Sequence, residues 1–280
     1  MIFDPLFKPL SVSKREFIVK DLKLFFRDTT QWSQLILLAV LVVIYLFNIR
    51  ALPLFSGERV PFIMVTVISF LNLGLAGFVL ASIAARFIFP SISLEGRQMW
   101  LLRSSPLDLR ALLWSKYWIG TVPLLVLALA ITILTNLLLR VSPFMMAVGI
   151  GTIVLLTLAI SAMALGFGAV YPQFETENAA QIPTSYGGLV FMMSTIALLA
   201  TVIVIEAVPV SNYLRAAVAG EAVTIDMWII GAFVAVALIC SLATTIPLRV
   251  GLRRVLGMVT PGWMVHPGEL RGLHVLPKHL

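Results

Sequence analysis

The residues able to do chemistry outside an apolar phase gather in one stretch of this sequence. They are Glu95, Arg97, Trp100, Arg103, Ser105, Pro106, Asp108, Arg110, Trp114 and Lys116. A carboxylate, several guanidinium groups and large indoles within a short segment are the side chains that anchor protein interfaces. Ser91 or Ser93 is expected to cap a short helix running to Arg103. The run Ser105-Pro106-Leu107-Asp108 then restarts the chain, with serine at a cap, proline in the first turn and an acid two residues later. A capped, amphipathic helix of this kind suits docking of a protein partner. A helix lying on lipid headgroups is the other reading of the same pattern.

Other chemistry is missing from the sequence. There is no Gly-x-x-x-x-Gly-Lys-Ser/Thr phosphate loop, so the expectation is a chain that is not an enzyme, with no ATPase site of its own and no bound cofactor. No His-Glu-x-x-His or Gly-x-Ser-x-Gly pattern occurs, and His266, His274 and His279 are too widely spaced to propose a metal. Gly166-Phe167-Gly168 is read as close helix packing. No catalytic residue is assigned.

The elements that must position the segment are apolar. The 280 residues are 60% hydrophobic and 12% charged, with mean hydropathy +1.03. Soluble domains are about 45–50% apolar and about 25% charged. The excess falls in long runs, and a run of about 20 apolar residues crosses the hydrocarbon core as a helix. Six spans are expected: 33–49, 61–88, 112–139, 143–171, 185–205 and 227–250. The chain is read as one all-α membrane domain over 1–280, with an amphipathic helix in 1–32, a six-span bundle in 33–250 and a tail in 251–280. A tight Arg140–Pro143 hairpin joins the third and fourth spans. A short outer helix is expected between Glu206 and Asp226, and a partly irregular tail after Gly251.

Ser13 and Glu16 have capping-box spacing. Beyond them Ile18, Leu22, Phe25 and Phe26 share one helical face, and Lys20, Lys23 and Arg27 another. That is an interfacial helix for membrane lipid, with a helix packed on protein as the alternative. Most of the twenty lysines and arginines fall on the side of the termini, and only Arg50, Arg59, Arg140 and Arg215 on the other. The positive-inside rule therefore predicts both termini in the cytoplasm. The net charge of +7 is read as juxtamembrane charge, not as nucleic-acid binding. The single Cys240 allows no internal disulfide, and no cleavable signal peptide is expected.

Inside the spans ionisable groups are scarce. Arg86, Lys116, Glu206 and Arg249 are placed near span ends, and the lack of mid-membrane carboxylates counts against a secondary transporter. Asn72 and Asn136 are read as interhelical hydrogen-bonding groups or as lining of a substrate path. Gly77, Ala81 and Ala85 recur four residues apart, a face for close helix approach within the chain or in a dimer.

Glu95, Arg97, Leu101, Leu102, Ser105, Pro106 and Lys116, taken with the six-span plan, resemble the permease subunit of ABC type-2 exporters. The stretches from Phe89 to Arg97 and from Tyr171 to Asn178 are similar to a branch of bacterial exporters in that family with longer chains, of which this chain resembles the second half. The resemblance implies a permease of an ATP-driven exporter in the cell inner membrane. Its ATP and Mg would sit on a separate ABC ATPase subunit, and its second half would be a copy of itself or a sibling permease. It makes 95–103 the coupling helix, with Glu95, Arg97, Trp100, Arg103, Ser105, Pro106 and Lys116 as ATPase contacts. Glu175, Glu177 and Asn178 form a possible second contact, or only a connecting loop. The competing expectations are a non-catalytic membrane scaffold or assembly protein, and a lipid-acting enzyme for which no catalytic cluster can be assembled.

Overall fold

The computed structural model describes residues 62–98, 109–139, 141–174, 179–219 and 227–259, with isolated positions within 36–47. Apolar runs become helices because a chain in hydrocarbon must satisfy its own backbone. Helix α1 spans Phe62–Phe87, α2 Leu109–Leu138, α3 Pro143–Val170, α4 Tyr186–Ala219 and α5 Met227–Val259. All five are long and apolar enough to cross a membrane, and no strand occurs among the described residues. The expected first span at 33–49 lies outside the described residues apart from a few positions. The interfacial helix with Lys20, Lys23 and Arg27 lies outside them altogether.

Local chemistry sets the helix ends. Helix α1 carries Arg86 in its last turn, where a cation faces the negative end of the dipole. Pro90 has no N–H with which to extend the α-helical ladder, and two 3-10 turns follow, Phe89–Ser91 and Ser93–Gln98. The hairpin between α2 and α3 forms as its sequence requires. The Ser142 hydroxyl accepts from the Met145 N–H at 3.3 Å, and Pro143 takes the first helical position. Ser185 does the same for α4, accepting from the Gly188 N–H at 3.4 Å.

Helix α3 is the hub. It packs against α1, α2, α4 and α5, and residues all around its circumference are buried, among them Ile153, Leu156, Ala159, Ile160, Ala162 and Leu165. It approaches α5 most closely where side chains vanish. A Cβ on Gly166 would come within 2.5 Å of the Pro247 carbonyl oxygen, and one on Gly251 within 3.1 Å of Gly166. Large apolar side chains on the outside of the bundle, including Leu71, Leu75, Val126, Met193, Val204 and Leu238, stay exposed. Such a belt is what a lipid solvent permits.

Two helices outrun the spans expected of them. Helix α4 continues past Ile205 to Ala219, so the 206–219 part of the expected outer helix is the end of this span. Helix α5 continues past Val250 to Val259, into the expected irregular tail. In both cases a charge ended the apolar run in sequence, but Ala, Leu and Arg beyond it are good helix formers.

Candidate functional site

The connections α1–α2 and α3–α4 meet at one end of the bundle. The turn after α1 is wedged there because two glycines make room for it. Gly168 of α3 lies directly against the Phe89 carbonyl, and Gly187 of α4 lies against Tyr171 and the Phe89 ring. Phe89 is fully buried and stacks on Phe191, with centroids 6.0 Å apart. Gly96 sits so tightly under the Phe174 ring that any side chain would displace it. The Ser93 hydroxyl accepts from the Gln173 N–H at 3.0 Å. The two connections are therefore stitched into one junction.

The junction is locked to α2 by charge. The Lys116 ammonium lies 3.0 Å from Glu95 Oε1, with the two side chains only 6% and 7% exposed. A pair this buried holds because each ion neutralises the other; either alone would be costly. Around Lys116, Trp114, Tyr117 and Trp118 form an aromatic cluster with centroids 5.3–6.0 Å apart. Trp114 and Trp118 are half exposed, as indoles at a membrane–water boundary are. Tyr117 donates its hydroxyl to the Leu158 carbonyl of α3 at 3.3 Å.

The structure thus brings Glu95 and Lys116 together and turns them toward each other. The backbone of Arg97 belongs to the second 3-10 turn. Trp100, Arg103, Ser105 and Pro106, and likewise Glu175, Glu177 and Asn178, lie outside the described residues. Neither Ser91 nor Ser93 caps a helix. Ser91 donates to the Ile88 carbonyl at 2.6 Å and Ser93 serves the neighbouring loop, because Pro90 has already shaped a turn there. Gly77, Ala81 and Ala85 face inward, and a Cβ on Gly77 would meet Leu199 of α4. The close-packing face is used within the chain.

Glu206 is the residue that sequence reasoning misplaced. It is not at a helix end but inside α4, fully buried, with Oε1 accepting from the Thr152 hydroxyl of α3 at 2.6 Å. The signal was the apolar continuation Ala207-Val208-Pro209-Val210, which keeps the residue within the span.

The fold is an all-helical bundle among the described residues, with an exposed apolar belt and five helices long and apolar enough to cross a membrane. Residues 1–259 match the family described as "Putative ATP-binding cassette", and the chain belongs to it. No curated protein and no solved structure matches the chain.

The family corrects three expectations. The chain is placed in an ATP-binding cassette family, not in the type-2 exporter permease family that its motifs resemble. A family so named also overturns the expectations that the chain is no enzyme and has no ATPase site, and that ATP and Mg are held by a partner alone. The physical flaw lay in treating one phosphate loop as the only grip on a nucleotide. Helix N-termini and loop amides also bind phosphate.

Proposed function

We propose that this chain is the membrane-crossing component of an ATP-driven ABC transport assembly, and that movement produced by nucleotide turnover enters it at the junction end. The single observation that supports this most strongly is the buried Glu95–Lys116 pair. It fixes the turn after α1 to the first turns of α2, while Ser93 and Gly96 fix the same turn to the α3–α4 connection. A push on this turn would be carried by stiff elements into α2, α3 and α4 together. The excess of lysine and arginine on this side supports a cytoplasmic position for this end, where nucleotide is available. Helix α3 fills the centre of the bundle, so a transport path would run along its outside against a second membrane unit. Arg97, Trp100 and Arg103 would touch the moving machinery, with Glu95 and Lys116 as positioning residues behind them.

The test is affinity purification of the tagged chain from its own membrane in mild detergent, with photolabelling by azido-ATP. The expected result is a nucleotide label on this chain or on a polypeptide that co-purifies with it, and ATP hydrolysis that falls when Arg97 and Arg103 are both replaced by alanine. An intact chain with no label on itself or on any companion would reject the transport reading and favour a membrane scaffold.

A further inference from the structure

Glu206 stands in surroundings that cannot solvate a charge. Val202 and Val210, one turn before and after it, are 0% and 1% exposed. Its Oε2 has no hydrogen-bond partner among the described residues. An ionised carboxylate with one hydroxyl donor and no cation is the costliest state for such a site. The charged and titratable groups of the packed helices do not relieve it. Helix α3 has none, α1 has only Arg86 at the junction end, and α2 has Arg110, Lys116 and Tyr117 near that same end and none further along. Helix α5 contributes Cys240, a buried thiol within electrostatic range of the carboxylate, and Arg249, Arg253 and Arg254 toward its far end. On α4 itself, Tyr213 stacks on Phe144 and Arg215 lies more than two turns on.

A polar band accompanies the carboxylate. On α3, Gly149 lies one turn from Thr152, and a Cβ there would approach Asn136 Nδ2 to 3.2 Å and the Thr132 methyl to 3.8 Å. Asn136 Nδ2 and Thr132 Oγ1 are buried without partners among the described residues. Nearby on α2, Thr135 accepts from Asn72 Nδ2 of α1 at 2.9 Å. Unpaired polar groups of this kind are where interior water resides. Pro209 has no N–H to give the Ile205 carbonyl, so a backbone acceptor is left free of its helix bond beside Glu206.

We propose that Glu206, with Thr152, is a proton-binding site in the membrane interior. The carboxylate takes up one proton on Oε2 to become the neutral acid, and returns it when the bundle admits water along the Thr132–Asn136 band. A metal cation is the poorer occupant, because one carboxylate and one hydroxyl supply too few oxygens. The site is independent of the transport reading.

The test is infrared difference spectroscopy of the full chain in phosphatidylcholine vesicles, in acidic against alkaline buffer. Beside the bands of the other carboxyls, the native chain is expected to show one carbonyl stretch of a neutral carboxylic acid that disappears on the alkaline side and is missing from the Glu206→Gln spectra. Thr152→Val is expected to shift the transition, because it removes the one hydroxyl donor to the carboxylate. Identical spectra for native and Glu206→Gln would overturn the proposal. So would a band that follows sodium at fixed pH. Should Glu206→Gln fail to insert, an unchanged transition in Thr152→Val overturns it equally.

Discussion

Glu95 and Glu206 are both buried glutamates, and the molecule treats them in opposite ways. At the junction end Glu95 is given a full cation, Lys116, at 3.0 Å. Inside the bundle Glu206 is given one neutral hydroxyl, and its other oxygen has no hydrogen-bond partner among the described residues. The first arrangement resists change, because breaking it strands a charge. The second can be neutral or charged at the cost of one proton. The difference separates a paired charge fixed in place from a group open to two protonation states.

The largest expected effect breaks the first half of that comparison. Lys116→Met removes the Lys116 cation from the buried Glu95 and should cost about 3–5 kcal/mol, read as a lower melting temperature in mild detergent. Adding Glu95→Leu should recover most of the loss; no recovery would mean that Lys116 acts through other contacts. Next comes the seat of the junction. Gly168→Ala pushes a methyl into the Phe89 carbonyl and should cost about 1–3 kcal/mol by overpacking, with Phe174 becoming more open to protease or label. Glu206→Gln should cost less, no more than about 1.5 kcal/mol, because a neutral amide can still accept from Thr152. A loss as large as that of Lys116→Met would show that Glu206 is charged in the fold. The smallest effect is a gain. Gly151 lies next to Thr152 with nothing within 4 Å of an added Cβ, so Gly151→Ala should stabilise α3 by about 0.5–1 kcal/mol.

The helices could be read from the sequence wherever apolar length alone decides them. Helices α1, α2 and α3 begin and end within a few residues of the expected runs, and Ser142-Pro143 announces its hairpin by cap chemistry that needs no tertiary partner. The ends of α4 and α5 were hidden because hydropathy stops at the first charge, whereas a helix stops only when its propensity or its packing fails. The Glu95–Lys116 pair was visible as two residues of one charged segment, but not as a pair, since only the fold of the intervening turn brings them together. Glu206 was visible as a residue and invisible as a site. Its significance comes from Thr152, more than fifty positions away on another helix. The nucleotide chemistry of the family was not legible, because the motif sought was one particular loop.

The short turn between α2 and α3 has a consequence for how the protein is made. Only the four residues 139–142 separate the two helices, a link short enough for them to enter the membrane together as a hairpin. Since α3 ends with neighbours on every side, that hairpin must wait in the lipid with its later contact surfaces bare until α4 and α5 are synthesised. Biogenesis is thus most vulnerable in the interval between the third helix and the fifth, and a stalled ribosome there would release a chain whose central helix has no cover.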